Sequence, residues 1–156
     1  MSQQTFADVE YSHRKKKTRR EQFLTTLDAV IPWDHWVSVI RPYYVAGRRG
    51  RPPRGIETML RMYLLRKWFS LSDKAIEDAV YDSYAMRGFL KLDFLDKQVP
   101  GASTLLRFRH LLEENGIAQE IFEDTDRRLR EAGYILHCGS VADPALVALP
   151  KRPEKK

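Results

Sequence analysis

The stretch from Ile56 to Phe69 leaves this chain little choice of architecture. Ile56, Met59, Leu60, Tyr63 and Leu64 recur at i, i+3, i+4, i+7 and i+8, the spacing of one helical face. Met62 and Leu65 lie off that face. A helix over about 55–69 is therefore apolar on more than one side, and such a helix is stable only with other elements packed around it. The flanking sequence supplies them. A first helix is expected from near Thr18, with Phe23, Leu24, Leu27 and Val30 on one face. Pro32 ends it or opens the next, in which Trp33, Trp36, Val37 and Ile40 recur before Pro42 closes the piece. Ser72 is a good N-cap, and Leu71 and Ile76 fit a hydrophobic staple across it, with Ala79 and Val80 continuing the inner face. Ser83 is expected to cap a short helix with Met86, Phe89 and Leu90 inside.

Pro100-Gly101 ends a loop over 91–102. Ser103 is expected to cap a helix that Gly116 stops. Its inner face is Leu105, Phe108, Leu111 and Leu112, and its opposite stripe is Ser103, Arg107, His110 and Glu114. A last helix over about 117–132 buries Ile121, Phe122, Thr125 and Leu129 and ends at Gly133. Then the texture changes. Tyr134-Ile135-Leu136 and Val141 to Val147 read as short strands around Gly139-Ser140. A two-stranded hairpin alone is marginal in water, so these strands read as the start of something larger. The expected fold is mainly α: a helical bundle containing a helix-turn-helix-like module, followed by a short β-hairpin.

Charge is uneven along the chain. Residues 1–55 hold 11 basic and 5 acidic side chains, residues 56–145 hold 12 and 15, and residues 146–156 hold 4 and 1. Basic ends around a mildly acidic middle suit a polyanion, nucleic acid ahead of membrane, although a solvated surface would look the same. No apolar run approaches a membrane span, and no secretory signal is present. One cysteine, Cys138, excludes a disulfide framework and suits a reducing cytosol; a buried thiol is expected there.

Three features bear on nucleic acid. Lys15, Lys16 and Lys17 form a basic run with Arg14. Residues 46–55 contain three Gly, two Pro and four arginines, Arg48, Arg49, Arg51 and Arg54, so they form a loop. Its Arg49-Gly50-Arg51-Pro52 resembles an AT-hook core, and fits either a minor-groove contact or a basic interhelical loop. In the helix after Pro100, Ser103 and Thr104 could bond phosphates, and Arg107 could reach a base edge. Periodicity by itself favours a plain bundle surface over a helix-turn-helix. His13, His35, His110 and His137 lack metal-ligand spacing, and no complete catalytic constellation is visible. Asp143, beside the apolar Val141-Ala142, is the one acid singled out: on an apolar strand it calls for a partner or a metal, and on a loose hairpin it is simply an exposed acid.

Taken in order, three segments resemble bacterial insertion-sequence transposases of the DDE type, the insertion sequence five (IS-five) group. They are Gly50-Arg51-Pro52-Pro53, the pair of helices from Leu71-Ser72-Asp73 to Phe89-Leu90, and Val99-Pro100-Gly101-Ala102-Ser103-Thr104-Leu105-Leu106-Arg107-Phe108-Arg109. The resemblance spans about 20–150. It implies a flexible basic arm at 1–17, a helical DNA-binding domain at 18–133, and at 134–156 the truncated start of an RNase H-like catalytic domain. By the resemblance, Asp143 stands where the first of three catalytic carboxylates is found, although Pro144-Ala145 departs from the family's Ala-Thr. A complete member would use Mg²⁺, but one carboxylate cannot hold a two-metal centre, so no cofactor and no strand cleavage are expected of this chain. The implied partner is double-stranded DNA bearing terminal inverted repeats, in a bacterial, nucleoid-associated cytoplasmic setting. The alternative is a DNA-binding repressor, or a chain that self-associates or pairs with intact transposase. Expected DNA contacts are Lys15, Lys16, Lys17, Arg48, Arg49, Arg51, Arg54, Ser103, Thr104, Arg107 and His110.

Overall fold

The computed structural model describes residues 6, 9–10, 13, 16–44, 55–92, 98–138 and 144–148. Seven α-helices and one hairpin are formed among them. The helices are α1 Arg19–Val30, α2 Trp33–Ile40, α3 Ile56–Trp68, α4 Asp73–Asp82, α5 Tyr84–Phe89, α6 Ala102–Glu114 and α7 Ile117–Glu131. A 3₁₀ turn, Arg41–Tyr43, follows α2. Strands β1 Tyr134–His137 and β2 Ala145–Ala148 pair antiparallel, Leu136 opposite Leu146 and Ile135 opposite Val147.

The start signals act as their chemistry requires. Thr18 Oγ1 accepts the Glu21 N–H at 3.1 Å, Ser72 Oγ the Ala75 N–H at 3.1 Å, and Ser83 Oγ the Met86 N–H at 3.3 Å. Each satisfies a donor that the first helical turn cannot pair internally. Between α6 and α7 the chain turns through Gly116 at φ 69°, the left-handed region where a side chain would be strained. Pro32 sits just before α2 as its N-cap residue.

Helix α3 is the axis of the bundle. Its Met59, Leu60, Met62, Tyr63, Leu64, Leu65 and Trp68 are all buried. Side chains from it reach every other helix. Trp68 meets Phe23 of α1 and Phe89 of α5 edge-on, each at 5.8 Å between ring centroids. Tyr63 lies 6.1 Å from Phe122 of α7. Arg66 pairs with Asp73 of α4 at 2.9 Å, and α3 also packs against α6.

Arg61, in the middle of this apolar helix, is only 1% exposed. Its guanidinium stacks on Trp33 of α2 at 4.0 Å, donates to the Phe89 carbonyl at 2.9 Å, and pairs with Asp28 at 2.8 Å and Glu57 at 2.9 Å. Trp33 Nε1 donates to the same Asp28 carboxylate at 2.9 Å. A buried charge is tolerable when it is paired and hydrogen-bonded in this way. One guanidinium thus ties together α1, α2, α3 and α5.

The hairpin packs on the helices through Leu136 and Leu146. Three expectations change. Ser103 does not cap α6: the helix starts two residues earlier than such a cap would place it, with Gly101 as N-cap residue and no side-chain cap from its own segment. Cys138 is exposed rather than buried, because β1 ends at His137 and the thiol falls just past the packed face. The second strand is described only from Ala145, directly after the buried Pro144, which has no N–H to give to a ladder. Asp143 and Gly139-Ser140 lie outside the described residues, as do 45–54 with Arg48, Arg49, Arg51 and Arg54, and Lys15. No described helix is long and apolar enough to cross a membrane.

Candidate nucleic-acid interface

Helix α6 is half in and half out of the bundle. Leu105, Phe108 and Leu112 are buried, and Phe108 is met by Tyr44 at 6.1 Å. That burial fixes the rotation of the helix about its axis. Ser103, Arg107, His110 and Glu114 therefore stand exposed on the far side, with Thr104 half-buried at the margin. Leu106, 36% exposed, places an apolar side chain within this polar stripe.

Two contacts from α4 hold α6 in register. Asp73, the first residue of α4, sits between Arg66 of α3 at 2.9 Å and Arg109 of α6 at 3.1 Å. All three side chains are about one-fifth exposed, so the cluster is shielded but not dry. Glu77, one turn further along α4, accepts the Ala102 N–H at 3.2 Å. This carboxylate supplies the cap that Gly101 cannot, and places negative charge at the positive end of α6. An anion cannot also sit on the axis there without displacing Glu77. A phosphate would have to approach from the side, along Ser103 and Arg107.

Further along the chain, Lys16 and Lys17 precede α1 and are exposed, as is Arg19 in its first turn. His13, His35 and His137 are exposed. Among the described residues no three His, Cys, Asp or Glu side chains converge to hold a metal ion.

Sequence reasoning missed the residues that place the stripe. Glu77 and Ala102 are 25 positions apart, as are the ends of no local motif, so nothing short-range announces the cap. Arg61 did carry a signal: a lone cation inside Met59-Leu60-Arg61-Met62-Tyr63 must be buried with partners.

Residues 12–111 match the transposase domain family DUF772. That stretch is well over half of the chain and runs from before α1 into α6, through Arg107 and His110. The chain belongs to this family of transposase domains. Membership suggests involvement in DNA transposition. The matched segment contains the α3 axis, both α4 contacts and the exposed stripe as far as His110, whereas the end of α6, α7 and the hairpin follow it. No solved structure matches this chain.

Proposed function

We propose that this chain is the DNA-binding part of an insertion-sequence transposase of the IS-five group, and that it grips duplex DNA at terminal inverted repeats. The observation that supports this is the stripe on α6. Ser103, Arg107 and His110 face solvent on a helix whose rotation is fixed by Leu105, Phe108 and Leu112. In this reading α4, α5 and α6 form a helix-turn-helix-like module, and α6 lies side-on to the duplex. Arg107 has the fork geometry for a guanine edge or a phosphate, and Ser103 and Thr104 have hydroxyls for phosphates. Lys15, Lys16 and Lys17 add sequence-independent attraction, and Arg48, Arg49, Arg51 and Arg54 a second basic contact. The setting is the bacterial cytoplasm, with the nucleoid as target.

The test is affinity for a terminal-repeat duplex across a salt series. Binding should weaken steeply with salt, since each neutralised phosphate releases counterions. Arg107→Ala should cost about 1–3 kcal/mol and relax specificity at a defined position, as loss of a bidentate base contact does. His110→Ala should cost less. Arg51→Ala with Arg54→Ala should weaken binding to all sequences together. A salt-independent affinity, or specific binding untouched by Arg107→Ala in a folded variant, would remove α6 as the reader.

Asp143 is carried as the first catalytic carboxylate of a complete Mg²⁺-dependent enzyme. Two-metal cleavage takes more carboxylates than this one residue supplies. The 156-residue chain given Mg²⁺ or Mn²⁺ should yield neither nicks nor strand transfer, and Asp143→Asn should change neither result. Metal-dependent nicking that disappears in Asp143→Asn would refute this.

A further inference from the structure

We infer that Arg41 and Tyr43, on the 3₁₀ turn after α2, hold the phosphate backbone of the duplex beside the bases that α6 meets. The turn is built to present them. Ile40, the last residue of α2, is fully buried and fixes where that helix ends. Pro42 has a fixed φ, and the Tyr44 N–H donates to the Ile40 and Arg41 carbonyls, each at 3.2 Å. On this closed turn Arg41 and Tyr43 are exposed, Tyr43 by 46%. Val37 and Ser38, one helical turn back from Arg41, are uncharged. A guanidinium offers a planar fork to two phosphate oxygens, and a phenol hydroxyl donates one further bond.

The ring of Tyr44 decides which flank of α6 the turn takes. It is half-buried and meets Phe108 edge-on at 6.1 Å. Successive residues step about 100° round a helix axis. Arg109 lies on the flank that α4 holds through Asp73, and Ala102, bonded to Glu77, lies there too. Phe108, one step back, receives Tyr44. A further step in the same direction reaches the exposed Arg107. The turn therefore abuts α6 on the side away from α4, the side of Arg107. A helix that meets base edges has the sugar-phosphate backbone alongside it, and polar groups standing beside the helix meet phosphates. Arg41 supplies a charge there and Tyr43 a neutral donor, and neither contact carries sequence information.

This inference rests on the reading of α6 as the DNA-binding helix, so the experiment separates the two. The full chain is titrated by fluorescence anisotropy with a duplex carrying the terminal repeat, across a salt series. Arg41→Ala should lower the slope of log affinity against log salt by about one, the share of a single phosphate. Arg41→Lys should restore the slope, because the charge returns. Tyr43→Phe should weaken binding by about two- to tenfold, the worth of one neutral hydrogen bond, with the slope unchanged. Both side chains are exposed, so each variant should melt as the wild-type chain does. None should change which sequence is preferred, whereas Arg107→Ala should. Single phosphates of the duplex are then replaced by uncharged methylphosphonates. The replacement that weakens the wild-type chain but not Arg41→Ala should lie within about five base pairs, half a helical turn, of the position relaxed by Arg107→Ala. An unchanged slope in Arg41→Ala, a slope that Arg41→Lys does not restore, unchanged affinity in Tyr43→Phe, or a sensitive phosphate further away overturns this contact and leaves the α6 reading standing. If the duplex is not bound, or Arg107→Ala relaxes no position, the α6 reading falls and this contact with it.

Discussion

Helices α3 and α6 each span 13 residues and each carries two arginines, yet they use them in opposite ways. Helix α3 is surrounded, so Arg61 and Arg66 have no route to a ligand and bind other helices instead. Helix α6 is covered on one face only. Arg109, on the covered side, pairs with Asp73, and Arg107, two residues earlier, points into solvent. Burial, rather than residue type, decides whether a cation on this scaffold serves the fold or a partner.

The largest break in that contrast should come from Phe108, which anchors α6. Phe108→Ala removes a ring that is 3% exposed and should cost about 3–5 kcal/mol in urea unfolding. A loss below about 1 kcal/mol would mean that α6 is not fixed by its buried face.

Arg61 should come next. Arg61→Ala leaves Asp28 without its cation and Glu57 with Lys91 at 3.8 Å, and these carboxylates are 42% and 39% exposed and can rehydrate. The cost should therefore fall near about 3 kcal/mol, the low end for a broken buried pair. DNA affinity of the folded fraction should not change, in contrast to Arg107→Ala.

Two serines sharpen the comparison at a smaller scale. Ser72 caps α4 and Ser103 caps nothing. Ser72→Ala should cost about 1 kcal/mol of stability. Ser103→Ala should stay within about 0.5 kcal/mol, and show itself, if at all, in DNA binding. Equal losses of stability would contradict the capping by Glu77.

A last effect is visible only at alkaline pH. Burial raises the Tyr63 phenol from 10 to about 12, with Glu113 adding to the shift. Because the folded state resists ionisation, stability should be intact below pH 10 and fall as pH rises toward 12. Tyr63→Phe should flatten that decline in a pH series of unfolding midpoints. Its hydroxyl meets no protein hydrogen-bond partner among the described residues, so the substitution should be neutral or slightly stabilising near pH 7.

The same contrast explains what could be read from the sequence. The surrounded helix was legible because burial on all sides forces apolar residues off any single stripe, as at Met62 and Leu65. The caps at Ser72 and Ser83 were legible because capping acts over three residues, whereas at Thr18 only the start of the helix was read. The exposed stripe of α6 followed from periodicity as the complement of its inner face. The misplaced cap at Ser103 shows the limit: local chemistry favoured a serine, and a carboxylate from another helix did the work.

The run Arg107-Phe108-Arg109 has a consequence for how such signatures are used. Its letters are neighbours in sequence but answer to different demands: Arg107 to solvent, Phe108 to the core, and Arg109 to Asp73 on another helix. Successive residues on a helix are about 100° apart, so three in a row cannot share one environment. A selection for altered DNA targets that randomised this run as a block would discard most of its library to misfolding. Randomising positions 103, 106, 107 and 110 instead would vary the outward surface while leaving the anchors in place.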